Sequence, residues 1–504
     1  MVVITTLYPI TSKQKRKNLA GSRRQCEGIE LKIFSFDDPT TPIYQPFRPY
    51  EQKRPLKFIS KKAIVAKHKS AIFALGKTVT CYTKIEQMEI KRDLYLQKLI
   101  DRRHNGLIKV VTGVRRCGKS YLVFNLFSNY LKSIGVDNEH IIKVNLESRR
   151  NKKLRNPDAL LEYLDGKLVD QQMHYILLDE VQKVDEFVDV LNSYLDVPNA
   201  DVYVTGSNAR FLSKDVITEF RGRGDEVKIY PLSFSEFMSA YNGSKQLGLD
   251  EYMTFGGLPL ILSFKTEEQK SAYLKSLFEE TYIKDIKERY QIRHEEEFEE
   301  LINIISSSIG SLTNPTKLAK TFKSVKQVTI DPETIKNYLE HLCDSFLVLK
   351  AFRYDVKGKK YIDTPSKYYF TDIGLRNARI NFRQDEKTHI MENLIYNELL
   401  IRGFNVDVGV VPVVTRDESG KQVRSQLEID FVCNQGSKRY YVQSAYRLDS
   451  EEKRRQEQAS LTKVNDSFKK IIITGEEGIV HRNELGITTM SVYDFLLNPN
   501  ALEL

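Results

Sequence analysis

The segment Gly113-Val-Arg-Arg-Cys-Gly-Lys-Ser120 constrains this chain more than any other eight residues in it. It fits GxxxxGK[ST] with no position missing. It stands directly after the apolar run Leu107–Thr112 and directly before the helix-patterned run Tyr121–Lys132. Glycines at its two ends let the backbone wrap around phosphate oxygens with amide N–H groups turned inward, and the following helix aims its positive end at the same charge. A strand, this loop and a helix imply a βαβ architecture with a parallel sheet. Gly113, Val114, Arg115, Arg116, Cys117, Gly118, Lys119, Ser120 and Tyr121 are therefore expected to hold a nucleotide. Lys119 would contact the β- and γ-phosphates, and Ser120 would ligate Mg²⁺.

Downstream residues extend the site. Ile141–Leu146, Tyr175–Leu178, Val202–Thr205 and Val227–Tyr230 read as further strands, separated by helical stretches. The Tyr175–Leu178 strand ends in Asp179-Glu180. Asp179 is placed to hold Mg²⁺, and Glu180 to polarise the attacking water as general base. The Asp-Glu pair points to ATP, and no guanine-reading Asn-Lys-x-Asp follows. Val202-Tyr-Val-Thr-Gly-Ser-Asn208 is another strand with a polar end. If it lies beside the Asp179 strand, Ser207 or Asn208 can orient the lytic water. Arg221-Gly-Arg223 precedes the last strand, and either arginine is a candidate to stabilise charge on the transferring phosphoryl group, within the chain or from a neighbouring copy.

Net charge is a weaker guide. The chain of 504 residues carries a formal +10, but residues 1–87 hold 17 Lys/Arg against 6 Asp/Glu, leaving 60 against 61 in the rest. Those 87 residues also contain six of the fifteen prolines and show poor periodicity. They read as a disordered basic arm, or as an extension upstream of a start at Met88. The body is nearly neutral, so charge alone does not mark it as a nucleic-acid binder. The five cysteines are scattered, which indicates neither a zinc site nor a disulfide framework, and Cys117 reads as a small filler within the loop. No apolar run is long enough to span a bilayer, and the N-terminus lacks a basic n-region, so a cytoplasmic protein without membrane association is expected.

Several motifs follow one another in order. They are Leu-Leu-Asp-Glu-Val-Gln182, Thr-Gly-Ser-Asn208, Arg-Gly-Arg223, Tyr230-Pro-Leu-Ser-Phe-Ser-Glu-Phe237, Gly256-Gly-Leu-Pro259 and Tyr282-Ile-Lys-Asp-Ile-Lys-Glu-Arg289. With the Arg-Arg of the phosphate loop, the set resembles the bacterial and archaeal AAA-plus-type P-loop ATPases that end in a C-terminal domain of unknown function. The resemblance runs from about residue 88 to the end. It implies an α/β fold: a parallel-sheet ATPase core over 88–231, a helical lid over 232–300, a winged-helix-like segment over 301–385 and a nuclease-like α/β domain over 386–504. ATP and Mg²⁺ are the implied cofactors.

The last two segments leave alternatives open. Helices around Thr316–Phe322 and Asp331–Val348, then a basic turn-containing stretch, suit a winged helix. Lys317, Lys320 and Lys323 with Arg353, Lys357, Lys359, Lys360 and Lys367 could contact DNA phosphates, or could form a solvated spacer. In 390–475, Glu392 and Asp430 sit where a restriction-endonuclease-type fold places its first two metal-binding acids, and Glu428, on the same strand face as Asp430, could compensate on the metal. The third position reads Gln443-Ser-Ala445, without carboxylate or lysine. Nuclease chemistry is therefore not expected, and a fold kept for binding or assembly is. Three functions remain: an ATP-hydrolysing switch acting on DNA or another partner, with self-association open; a nucleotide-gated DNA- or protein-binding module; and an ATP-regulated nuclease.

Overall fold

The computed structural model describes residues 90–206, 220, 222–383, 386–416 and 422–504. All of them belong to one of the chain's two compact units, Lys84–Leu504. The basic arm and the expectations placed on Ser207, Asn208 and Arg221 lie outside the described residues.

Helix α1, Asp93–Asp101, leads into strand β1, Ile108–Gly113, and the phosphate loop. Helix α2 follows as three consecutive stretches, Lys119–Tyr121, Leu122–Phe127 and Ser128–Ser133. Then come β2 (Ile141–Asn145), α3 (Pro157–Asp165), β3 (His174–Asp179), α4 (Phe187–Asn192), β4 (Ala200–Thr205) and β5 (Gly224–Ile229). These five strands form one parallel sheet in the order β2-β3-β4-β1-β5. Every residue of β1 and β3 is buried, because helices cover both faces, and this is why these strands read as largely apolar, the buried Lys109 of β1 being paired with Asp201. The order seats β4 between the phosphate-loop strand and the Asp179 strand, the arrangement on which a role for the end of β4 depended.

A helical region follows: α5 (Phe234–Ala240), α6 (Lys245–Phe255), α7 (Glu267–Ser276, Leu277–Ile283 and Lys284–Tyr290 in succession) and α8 (Glu295–Ser307). Ser233 and Glu236 form a reciprocal capping box at the start of α5. Next are α9 (Pro315–Thr321, continued by Phe322–Lys326), α10 (Pro332–Asp344), β6 (Val348–Asp355), β7 (Lys360–Phe370) and α11 (Ile373–Arg379). On α10, Ile335, Leu339 and Leu342 are buried at helical spacing, as the sequence pattern requires.

The remaining elements are α12 (Lys387–Ile401), β8 (Asn405–Arg416), β9 (Gln422–Gln435), β10 (Lys438–Ala445), α13 (Glu451–Thr462), β11 (Lys469–Thr474), β12 (His481–Arg482), β13 (Ile487–Ser491) and α14 (Val492–Leu497). They do not make a sheet of their own. The β6–β7 hairpin is its edge, in the order β12-β13-β11-β10-β9-β8-β6-β7. Strand β6 pairs parallel with β8 through Arg353, Tyr354 and Asp355 against Val408, Gly409 and Val410. The expected break after residue 300 falls inside α8, and the one after 385 is bridged by this sheet. Among the described residues no helix is long and apolar enough to cross a membrane.

Candidate functional site

The phosphate loop is shaped by what surrounds it. Gly113 has φ 141°, and a Cβ there would lie 2.1 Å from the carbonyl oxygen of Ile229 on the neighbouring strand. Gly118, just before α2, has φ 99°. Both glycines are therefore demanded by the backbone. Cys117 is fully buried beside β5, in keeping with a filler role. Lys119 is buried, and its ammonium donates to the carbonyls of Gly113 (2.9 Å) and Val114 (3.0 Å) at the head of the loop.

Asp179 at the end of β3 collects three donors. Ser120 Oγ (2.7 Å) and Thr205 Oγ1 (2.5 Å) donate to its Oδ1, and Asn145 Nδ2 (3.2 Å) to its Oδ2. Burial pushes the Asp179 carboxyl above its usual range, against these hydroxyl bonds. A buried carboxylate joined by a serine hydroxyl is a set of hard oxygen donors, and it suits Mg²⁺. Thr205 also accepts the Glu180 N–H at 3.2 Å. It thus links the two acidic residues, a role that the sequence analysis did not assign to any residue. Glu180 lies in the left-handed region (φ 57°, ψ 49°), and Gln182 Nε2 donates to its carboxylate at 2.5 Å.

Two loop carbonyls are held from outside. Buried Arg92 donates to the Cys117 carbonyl (2.9 Å) and the Tyr230 carbonyl (2.8 Å), and its Nε lies 3.0 Å from Glu236. Tyr282 of α7 donates to the Arg115 carbonyl (3.0 Å), and Arg115 pairs with Asp285 at 2.5 Å. Sequence reading missed Arg92 and left Tyr282 without chemistry. The signal for the latter was the Tyr-Ile-Lys-Asp order itself, one turn of helix carrying both loop contacts.

Arg223 requires a correction. It is exposed, and it precedes β5, paired through its carbonyl with the N–H of Ile108 at the start of β1. The phosphate loop lies at the other end of these parallel strands, where Gly113 registers with Ile229. Five residues of strand separate the two edges by about 17 Å. Arg223 therefore cannot reach a phosphate bound by its own chain.

The nuclease-like acids do converge, but around a lysine assigned to the basic wing. Lys367 of β7 is buried, with Nζ 2.9 Å from Glu392, 2.7 Å from Glu428 and 3.9 Å from Asp430. Burial opposes its charge, yet the carboxylates of Glu392, Asp430 and Glu428 outweigh burial and hold the ammonium above its usual pKa. Tyr369 donates to Glu392 at 2.6 Å. Gln443 turns its amide to Glu457 (3.1 Å). Arg353 is also withdrawn from the wing, buried against Gln426. The exposed basic residues of the hairpin turn are Lys357, Lys359 and Lys360.

His140, Asp170 and His174 form another cluster, at the opening edge of β2 and β3. Its donor atoms are spent internally. His140 Nε2 faces both Asp170 oxygens at 3.1 Å, His174 Nδ1 donates to the Gln172 carbonyl (2.8 Å), and His174 Nε2 accepts from the Val169 N–H. The cluster knots a loop to the sheet.

Residues 105–238 match the family described as an AAA domain, and residues 246–386 match a domain of unknown function. An uncharacterized protein of Haemophilus influenzae is 34% identical over 415 residues, covering 81% of this chain and 98% of that one. An uncharacterized protein of Methanocaldococcus jannaschii is 30% identical over 391 residues, covering 75% and 82%. Among solved structures, the Walker-type ATPase of Pyrococcus abyssi is 14% identical with a TM-score of 0.43, over 58% of this chain and 96% of that one. AMPPCP-bound DnaA of Aquifex aeolicus is 13% identical with a TM-score of 0.23, over 49% and 86%. The chain belongs to one family with these bacterial and archaeal uncharacterized proteins, and its residues 105–238 are a nucleotide-binding, AAA-type P-loop ATPase domain.

Proposed function

We propose that this protein hydrolyses ATP with Mg²⁺ and uses the nucleotide state to move its lid, and with it the downstream sheet. The observation that carries the reading is the convergence of Ser120 and Thr205 on the buried Asp179, with Glu180 next in sequence. Mg²⁺, when bound, would neutralise charge on the β- and γ-phosphates. Ser120 and Asp179 would hold it. Lys119 would leave its loop carbonyls for the phosphates. Glu180 would take the proton of the attacking water, with Gln182 fixing its carboxylate. Arg223 would serve a neighbouring copy, which ties that role to self-association. Phosphate release from wild type, Lys119→Ala and Glu180→Gln tests the reading, and equal rates in all three would refute hydrolysis at this site.

A second reading, DNA contact, is favoured by exposed Lys357, Lys359 and Lys360 at the hairpin turn and by Lys317, Lys320 and Lys323 on α9. The exposed face of α10 opposes one form of it. Asp331 at its cap, Glu333, Glu340 and Asp344 outnumber Lys336 there, so this helix would be repelled by phosphates in a major groove. Contact would run through the hairpin turn. Lys357→Glu, Lys359→Glu and Lys360→Glu together should lower duplex affinity about tenfold or more at low salt and flatten its salt dependence. Unchanged affinity and slope would discard the reading. The nuclease alternative draws no support from the Lys367 cluster, where an ammonium already stands among the three acids.

A further inference from the structure

We propose that Arg92 and Tyr282 act as positioning residues that aim the anion-binding amides of the phosphate loop, each by holding from outside the carbonyl of the peptide unit whose N–H must face the phosphates. The inference rests on the nucleotide-binding reading and names what makes the loop competent. In a trans peptide the C=O and the following N–H point in opposite directions. Fixing the Cys117 carbonyl on Arg92 therefore fixes the direction of the Gly118 N–H, and fixing the Arg115 carbonyl on Tyr282 fixes that of the Arg116 N–H. Neither amide has a protein acceptor among the described residues. Arg116 lies at φ 64°, a conformation costly for a residue with a Cβ, and Gly118 at φ 99°, one that glycine adopts freely.

The two holders are themselves held. Arg92 is 4% exposed, spans Cys117 and Tyr230, meets Glu236 and lies over the Tyr95 ring at 4.5 Å. Tyr282 is 3% exposed, and burial keeps its hydroxyl protonated and able to donate. Their origins differ in a useful way. Arg92 stands at the head of α1 in the core, whereas Tyr282 belongs to α7, one turn before Asp285, which pairs with Arg115. Half of the amide alignment is thus supplied by the helical region. Displacing α7 would release the Arg115 carbonyl and weaken phosphate binding. By reciprocity, bound phosphate would hold α7 in place.

The test is calorimetric binding of Mg-ATP, Mg-ADP and inorganic tripolyphosphate, with steady-state phosphate release, on wild type, Tyr282→Phe, Arg92→Gln and Arg92→Lys. Tyr282→Phe keeps the buried ring and loses only the donor, so it carries the test if Arg92→Gln fails to fold. Expected are about tenfold weaker binding of all three probes and a matching rise in KM, with kcat at saturating ATP within about threefold of wild type. Arg92→Lys, able to reach one carbonyl, should fall between wild type and Arg92→Gln. Wild-type affinity in Tyr282→Phe, or a fall in kcat at unchanged affinity, would overturn the inference. Failure of wild type itself to bind ATP would instead overturn the proposed function.

Discussion

Glu180→Gln should bind ATP as tightly as wild type and release phosphate about 10²–10³-fold more slowly. The amide has the shape of the carboxylate and can still accept from Gln182 Nε2, so the left-handed turn that carries residue 180 is kept. What it lacks is basicity: it cannot take the proton of an attacking water. Asp179 is untouched, as are the hydroxyls of Ser120 and Thr205 that meet on it. Lys119→Ala should behave in the opposite sense and lose affinity, because the ammonium that rests on the Gly113 and Val114 carbonyls is the charge proposed to meet the phosphates. Filter-bound ATP measured beside phosphate release separates the two effects. Loss of binding in Glu180→Gln would mean that residue 180 supports the loop and is not the base.

Gly374→Ala should destabilise the protein by more than about 3 kcal/mol, read as a lowered melting temperature and early proteolysis. A Cβ at this position would lie 2.1 Å from the Phe255 carbonyl oxygen and 2.5 Å from its carbon. Both are backbone atoms at the end of α6, so no side chain can swing aside. The junction is tight because Asp372, ahead of α11, accepts from the Gly257 N–H (2.8 Å) and the Leu375 N–H (3.1 Å). Burial pushes its carboxyl up to about 6 despite those amide bonds. Gly257 in turn accepts from the Leu232 N–H, which ties the junction back to the end of the ATPase core. Asp372→Asn would set an NH₂ against one of the two backbone donors, for a loss of about 1–3 kcal/mol. A Gly374→Ala protein that melts with wild type would show that α6 and α11 separate freely.

The ATPase core was largely legible because its signals are local. Parallel strands buried on both faces are rich in apolar residues, and one eight-residue segment holds most of the phosphate loop. The Gly256-Gly-Leu-Pro259 motif was visible as a motif only. Its reason, the approach of Asp372, lies more than a hundred residues away. Arg92 reads as an ordinary surface arginine in a charged opening, and the carbonyls it holds are 25 and 138 residues distant. Lys367 was assigned to the wing by its neighbourhood in sequence. Alternation along β7 puts Lys367 and Tyr369 on one face, towards Glu392, while the hairpin turn keeps the exposed lysines. Arg223 needed the strand register, because which end of a parallel sheet a residue occupies decides what it can reach.

The shared sheet has a consequence for how this chain can be divided. The region matched as a domain of unknown function stops at residue 386, between β7 and β8. Severing the chain there would leave β6 and β8 each with a row of backbone N–H and C=O groups stripped of partners, raw edges of the kind that pair with any strand they meet. Neither fragment is a self-sufficient unit. A truncated product ending near residue 386 is expected to aggregate.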